Sequence, residues 1–420
     1  MQHRHHGRTL LASFAMATLV LAACGSDDDG GGTTAAPTTV ASTEPAATTA
    51  ETTPATEPAA TEPAATEPAA TEPAATDTAP SGTEGSGETA ISDERCAANK
   101  AAGKITYISS FDYAAAASIL DVVVAKEKGY FDDLCLDVEL KAGFSTSNYP
   151  LVAANTAQFS SAGSYTEILN YSVDGAKFVA LADYGKTPIE ALVTKDPTIT
   201  DLAQLKGKTI GVKGDIPPSI VAMLSSAGLT RGVDYSEILV DGFDPVAHLQ
   251  LDIDALPVYK SNEPGQLDAA GVKYGLFDPT DLGIPGTFGI LYTSADFAAD
   301  NPGVVQDFIR AALKGMEDAI DDPAGAVAIA IKQIDAAGNA YYLTEAGETY
   351  RWQQESAEVL KGNPDGNVGS IDPAVFENEI AAYTEAGVFA EAPSTDGTYD
   401  ADLAASLYDA DGKVIWPGEG

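Results

Sequence analysis

The stretch "VYKSNEPGQL", residues 258–267, places Tyr259, Asn262 and Glu263 at the end of an apolar run and just before Pro264. A carboxylate in that position can accept hydrogen bonds from an amino or ammonium group, and the tyrosine ring offers a packing face beside it. Both residues are candidate ligand contacts, and so is Asn262. Each has a competing local role. Asn262 can cap the helix that Pro264 opens, and Glu263 at a helix start is favourable to the helix dipole. Other short clusters have similar potential. "SSFDY" supplies Ser110, Phe111, Asp112 and Tyr113: two aromatic faces for stacking and a carboxylate that could equally be an N-cap. "GFSTSN" supplies Ser145, with a solvated loop as its alternative, and "SSAGSY" supplies Ser161. In "KGDIPPS", Gly214, Asp215 and Ser219 surround a helix entry marked by proline. Helix N-termini expose unpaired N–H groups and partial positive charge, which suits polar or anionic ligand groups.

Catalytic chemistry has few carriers. Beyond residue 24 the only histidine is His248, and no nucleophile motif of the G-x-S-x-G kind occurs. Histidine or clustered-cysteine metal sites are not available, so neither metal nor cofactor is expected. Acid pairs are too plentiful in so acidic a chain for counting to exclude a glycosidase-like pair. The expectation is a binding protein that performs no chemistry.

The elements that must position these residues alternate. "KITYIS" reads as a strand, "YAAAASILDVVVAKEKG" as a helix stopped by Gly129, and "LDVEL" as a second strand. A short helix, the strand "QFSSAG", a helix opened by Ser164 with capping-box spacing to Glu167, and the strands "KFVAL" and "EALVTK" follow. After Lys195 the pattern restarts with "TDLAQLKGK", "TIGV" and the helix in "DIPPSIVAMLSSAG"; "EILV", "DALPVY" and "YGLF" are further strands. "FGILYTS" can return to the first group, and the remainder is mostly helical. Such succession requires crossovers and predicts an α/β fold of mainly parallel sheets, in two lobes, the second inserted into the first.

The N-terminal part is different. "MQHRHHGRTLLASFAMATLVLAAC" has a basic head and an apolar run too short to span a bilayer comfortably, so residues 1–23 read as an export signal. Leu21-Ala22-Ala23-Cys24 resembles the lipobox of bacterial lipoproteins, which implies cleavage before Cys24 and a lipid on its thiol. Residues 24–95, with "TEPAA" in tandem, cannot bury enough apolar surface to fold and read as an extended stalk. The expected location is outside the cell, held on the membrane by lipid alone. Cys96 and Cys135 remain, and outside the cytoplasm a lone pair of thiols points to a disulfide. The formal charge of −39 leaves −28 on residues 96–420, with 48 acidic against 20 basic side chains, which argues against nucleic acid as a partner.

Three segments carry a resemblance. "VVAKEKGYFDDLCLDVEL", "DLAQLKGKTIGV" and "IDALPVYKSNEP", with the later "TFGILYTSADFAADNPGVVQDFIRAALKGMEDAIDDP", are similar to elements of the NMT1/THI5-like branch of bacterial extracellular solute-binding proteins. The resemblance implies a periplasmic-binding-protein type II fold, with lobe 1 in 96–193 and 287–420 and lobe 2 in 194–286. It also implies a ligand cleft between the lobes, a monomer, and delivery of a small solute to an ABC permease and its ATPase subunit. "SNEP" resembles the group that binds the thiamine-pyrimidine precursor or a similar heterocycle. "YISSFDYAAAAS" departs from that group, lacking its tryptophan, Pro-Asn and histidine. Binders of nitrate, alkanesulfonate or taurine are therefore the alternative. Outside that class stand a pyrimidine-synthase-like enzyme, whose cysteine-rich motif is absent here, and a lipid-anchored sensor.

Overall fold

The computed structural model describes residues 91–172 and 176–418. The export signal, Cys24 with its expected lipid and nearly all of the stalk lie outside the described residues. The stalk boundary expected at residue 95 is corrected: a helix already spans Asp93–Ala101, with the Ser92 side chain accepting from the Arg95 N–H. Its Cys96 is joined by a disulfide to Cys135, Cα–Cα 5.2 Å.

Ten strands form two five-stranded sheets. The strands are β1 Lys104–Ile108, β2 Asp137–Lys141, β3 Phe159–Ala162, β4 Phe178–Gly185 and β5 Glu190–Thr194. They continue as β6 Thr209–Val212, β7 Ser236–Leu239, β8 Ala255–Tyr259, β9 Gly275–Phe277 and β10 Phe288–Ser294. The first sheet has the order β2-β1-β3-β10-β4 and the second β7-β6-β8-β5-β9. Both are mixed. β10 runs antiparallel between β3 and β4, and β5 runs antiparallel between β8 and β9.

One strand moves relative to the sequence expectation. β5 was expected among the strands of the first lobe, yet it pairs with β8 from Glu190↔Tyr259 to Thr194↔Ala255, inside the second sheet. The chain therefore crosses between sheets in the four residues from Lys186 to Ile189, and crosses back between β9 and β10. All but Glu190 of β5 are buried, and apolar residues on both faces identify it as an interior strand.

A second correction concerns the first helix. It covers only Leu120–Glu127, and the preceding alanine-rich run is an irregular loop. The Ala115 N–H donates to Glu348 Oε2 (2.7 Å) and the Ala117 N–H to Glu355 Oε2 (2.7 Å). Ser118 turns through φ 66° before the helix begins. Carboxylates from a distant helix thus satisfy backbone donors that an α-helix would have satisfied itself.

The core of the first sheet is aromatic. Phe159 stacks on Phe308 with centroids 3.8 Å apart, and Phe131 stacks on the same ring at 5.1 Å. Phe308 belongs to the long helix Pro302–Asp321, which packs on the helix Leu120–Glu127. The second sheet has its own core of Leu192, Ile210, Ile220, Met223 and Leu224. Each such side chain contributes about 1.5–3 kcal/mol through removal from water, so both sheets are independently supported.

Candidate functional site

Between the sheets lies a cavity of about 370 Å³. Its walls are the residues that follow β1, β2, β3, β6 and β8, together with the starts of β5 and β10. This is the carboxyl-end placement expected of ligand clefts in open α/β sheets. Gly289, at the start of β10, has φ +67°, and a Cβ there would meet Ala117 Cβ at 2.9 Å. The glycine lets the cleft wall approach the irregular loop this closely.

Seven of the twelve candidate ligand residues line the cavity: Ser110, Phe111, Ser145, Asp215, Tyr259, Asn262 and Glu263. Glu263 is 1% exposed. Its Oε1 is ion-paired with Lys213, and its Oε2 accepts from the Tyr259 N–H at 2.9 Å. Asn262 makes no side-chain cap to the helix Glu263–Ala269. Its Oδ1 instead accepts from Arg351 at 2.9 Å and from Gln266 at 3.0 Å. Asp215 sits at the rim, ion-paired with Arg231.

The other five lie outside the lining. Asp112 is buried at φ 49°, and its Oδ2 accepts from Asn339 and from the Tyr342 hydroxyl (2.6 Å), which ties the loop down. The Tyr113 hydroxyl donates to the Leu140 carbonyl (3.3 Å). Ser161 is fully buried beneath Ser110, whose N–H donates to its Oγ at 2.8 Å. Gly214 is exposed in the turn after β6. Ser219 is buried and donates to Glu190 Oε2 at 3.0 Å, so it acts on the cleft through Glu190.

Sequence reasoning missed the residues that organise the cleft from behind. The helix Glu345–Gly362 presents Glu348, Arg351 and Glu355 on the same face as the buried Trp352. Glu348 accepts from Ala115 N–H and from Arg351 Nε (3.1 Å). Glu355 accepts from Ala117 N–H on the first-sheet side and from the Ser261 hydroxyl (2.9 Å) on the second-sheet side. Arg351 reaches Asn262 and lies over the Phe111 ring, 5.7 Å from its centroid. This one helix therefore holds both walls. Burial pushes the Glu355 carboxyl up to about 7, against the opposing pull of Arg351 and its two donors.

An aromatic group flanks the mouth. Phe111 meets Phe144 edge-on (5.7 Å) and Phe243 at 6.1 Å, and all three line the cavity. Phe144 follows β2 and Phe243 follows β7, so the cluster joins residues of both sheets. Such rings accept a planar ligand by stacking or edge contact.

Several known proteins are similar to this chain. A family model described as NMT1/THI5 like matches residues 116–326. The riboflavin-binding protein RibY of Chloroflexus aurantiacus is 28% identical over 157 residues, which span 37% of this chain and 44% of that protein. The formylaminopyrimidine-binding protein of Halalkalibacterium halodurans is 27% identical over 289 residues, 64% of this chain and 82% of its own length. Among solved structures, the alkanesulfonate-binding protein SsuA from Xanthomonas axonopodis pv. citri bound to MOPS aligns with a TM-score of 0.52 at 14% identity, over 71% of this chain and 98% of that one. The last likeness concerns the fold, a periplasmic-binding-protein type II arrangement of two α/β lobes.

Proposed function

Since the chain belongs to the NMT1/THI5-like family, we propose that it is the extracellular solute-binding component of an ABC importer and captures a small planar nitrogen heterocycle. The thiamine-pyrimidine precursor and flavins are the ligand types nearest to this reading, because two relatives are named for formylaminopyrimidine and riboflavin. The observation that carries it is the composition of the cleft: an aromatic mouth of Phe111, Phe144 and Phe243 above a polar floor that includes Glu190 and Tyr259. The rings supply stacking area, and the floor supplies hydrogen-bond acceptors for ring N–H and amino groups.

The anion-binding alternative is less well supported. The cations on the lining are Lys213 and Arg351, and both are spoken for: Lys213 by Glu263, Arg351 by Glu348 and Asn262. A sulfonate or nitrate would have to compete with Glu263 for the exposed Lys213 or break the buried pair of Arg351 with Glu348.

Capture involves no chemistry in this reading. The histidine at 248 is buried, with its Nε2 2.8 Å from the Asp241 carbonyl oxygen, away from the cleft lining. Both cysteines of the globular part are in the disulfide, so the cysteine-dependent enzyme alternative has no thiol to use. The lobes would close by rotation about the two crossings, Lys186–Ile189 and the segment before β10. The closed form would then dock on a permease driven by a separate ATPase. Among the described residues, no helix is long and apolar enough to cross a membrane. A lipid on Cys24 and the stalk would hold the monomeric head outside the cell.

Thermal melting with aminopyrimidines, flavins, alkanesulfonates and nitrate tests the reading. A ligand at ~100 times its Kd raises stability by about 2.7 kcal/mol. A shift by heterocycles alone is expected; a shift by sulfonate or nitrate alone overturns the heterocycle assignment.

A further inference from the structure

The ionisable side chains facing the cleft are unequal in one respect. Lys213 and Glu263 neutralise each other, Arg351 is closed by Glu348 and Asn262, and Asp215 pairs with Arg231 at the rim. Glu355 is held by two donors and lies within the field of Arg351. Glu190 is the exception. Its Oε2 accepts from Ser219 Oγ at 3.0 Å, and among the described residues no cation comes within ion-pair distance of it, Lys260 acting on it only through space, and no further side-chain hydrogen bond reaches its Oε1.

Its place in the sheet explains where it points. Glu190 stands directly opposite Tyr259 in the β5–β8 ladder, and directly opposite residues of a pair project to the same face. Both line the cavity, and the Tyr259 hydroxyl reaches to 3.9 Å from where a Cβ on Gly163 would sit, on the facing wall. Behind Gly163 is a second carboxylate without a cation. Glu167 Oε2 accepts from the Gly163 N–H (2.9 Å), and its Oε1 is buried with no partner. The floor of the cleft therefore holds two carboxyl groups with spare acceptor capacity, both pushed up by burial, and the lining as a whole is acidic, with two cations against four acidic side chains.

We propose that Glu190 selects the ligand by charge: the cleft takes an uncharged or cationic nitrogen heterocycle whose N–H groups donate to Glu190, and rejects phosphorylated or sulfonated forms of the same ring. This rests on the solute-binding reading and sharpens it. A charge-assisted hydrogen bond to a carboxylate rewards a donor at this spot. A phosphate ester brought to the same floor meets a like charge in a site with no free cation to offset it, which is a repulsive specificity element.

The test compares ligand pairs that differ only in the phosphate. Riboflavin and its phosphate ester, and the hydroxymethyl aminopyrimidine of thiamine and its phosphate ester, are titrated calorimetrically into the full globular part and its Glu190→Gln variant. In the wild type, at least one unphosphorylated ring is expected to bind at least about 100-fold tighter than its ester. Glu190→Gln, with unchanged circular dichroism, is expected to narrow that ratio at least tenfold, by weakening the free ring and strengthening the ester. Equal binding of ring and ester by the wild type overturns the proposal while leaving solute capture intact, and needs no variant to fold. An unchanged ratio in Glu190→Gln removes the role from Glu190. Binding of neither member of either pair overturns both the heterocycle reading and the proposal.

Discussion

Replacing Glu355 by glutamine separates its charge from its hydrogen bonds. The side chain is 5% exposed and bridges the two walls by accepting from Ala117 N–H and Ser261 Oγ. An amide of the same shape can keep both contacts: its oxygen accepts from Ala117, and its NH₂ donates to a rotated Ser261 hydroxyl. The charge is what changes. Burial raises the carboxyl from 4.5 to about 7, so the folded protein holds this proton over a range in which the unfolded chain has released it. The associated stability is complete below the unfolded value and is lost as pH rises through the folded one. Between pH 5 and pH 8 the loss amounts to about 2–3 kcal/mol. Urea unfolding of wild type and Glu355→Gln at both pH values measures it. The variant should gain about 2–3 kcal/mol relative to wild type on going from pH 5 to pH 8. Parallel stability curves would refute the reasoning, because they would mean that the buried carboxyl titrates as it does in the unfolded chain. Glu355→Ala is the control for the bridge. It leaves the Ala117 N–H and the Ser261 hydroxyl without their acceptor and should cost about 1–3 kcal/mol for each group left unsatisfied.

Other consequences can be measured alongside. Asp121 is fully buried, accepts from the Tyr184 hydroxyl at 2.6 Å and is pushed up to about 7 by burial. Glu379, between Thr166 and Thr287, is raised in the same way to about 7, so the melting temperature of the wild type should fall from pH 5 to pH 8. A flat or rising profile would contradict the assignment. Replacing both Cys96 and Cys135 by serine removes a cross-link over a sequence separation of 39 and should lower stability by about 4 kcal/mol in chemical denaturation. Phe243→Ala should weaken a bound heterocycle about three- to tenfold with little change in melting, since the ring is half-exposed at the mouth. Glu263→Gln keeps an acceptor for the Tyr259 N–H but leaves Lys213 without its counter-charge. Its affinity for an alkanesulfonate should rise relative to wild type in the same calorimeter, and an unchanged value would show that Lys213 does not face the ligand.

Much of the fold was legible because its signals are local. Apolar strands such as "TIGV" and "FGILYTS", the proline at residue 218 and the capping residue Ser164 lie where short-range chemistry places them. The alanine-rich loop was misread because its backbone donors are satisfied by Glu348 and Glu355, more than 230 residues away, and no local pattern records that. β5 was assigned to the wrong sheet for a related reason. A buried apolar strand looks alike in either core, and only its pairing with β8 decides. Within the cleft, "SNEP" announced Asn262 and Glu263, while Glu190 looked like one more acid in an acidic chain. Arg351 and Glu355 had a usable signal. Together with Glu348 they share the helical face of Trp352, and charged residues on a face that also carries a large apolar side chain must find partners inside the protein.

The central claim is that the cleft between the sheets captures a small nitrogen heterocycle. Native mass spectrometry of the globular part, purified without added ligand and then released under denaturing conditions, tests it most directly. The account predicts a one-to-one adduct whose released mass is that of a nitrogen heterocycle free of phosphate and sulfonate. Release of a sulfonate, a phosphate ester or an inorganic anion in its place would contradict it.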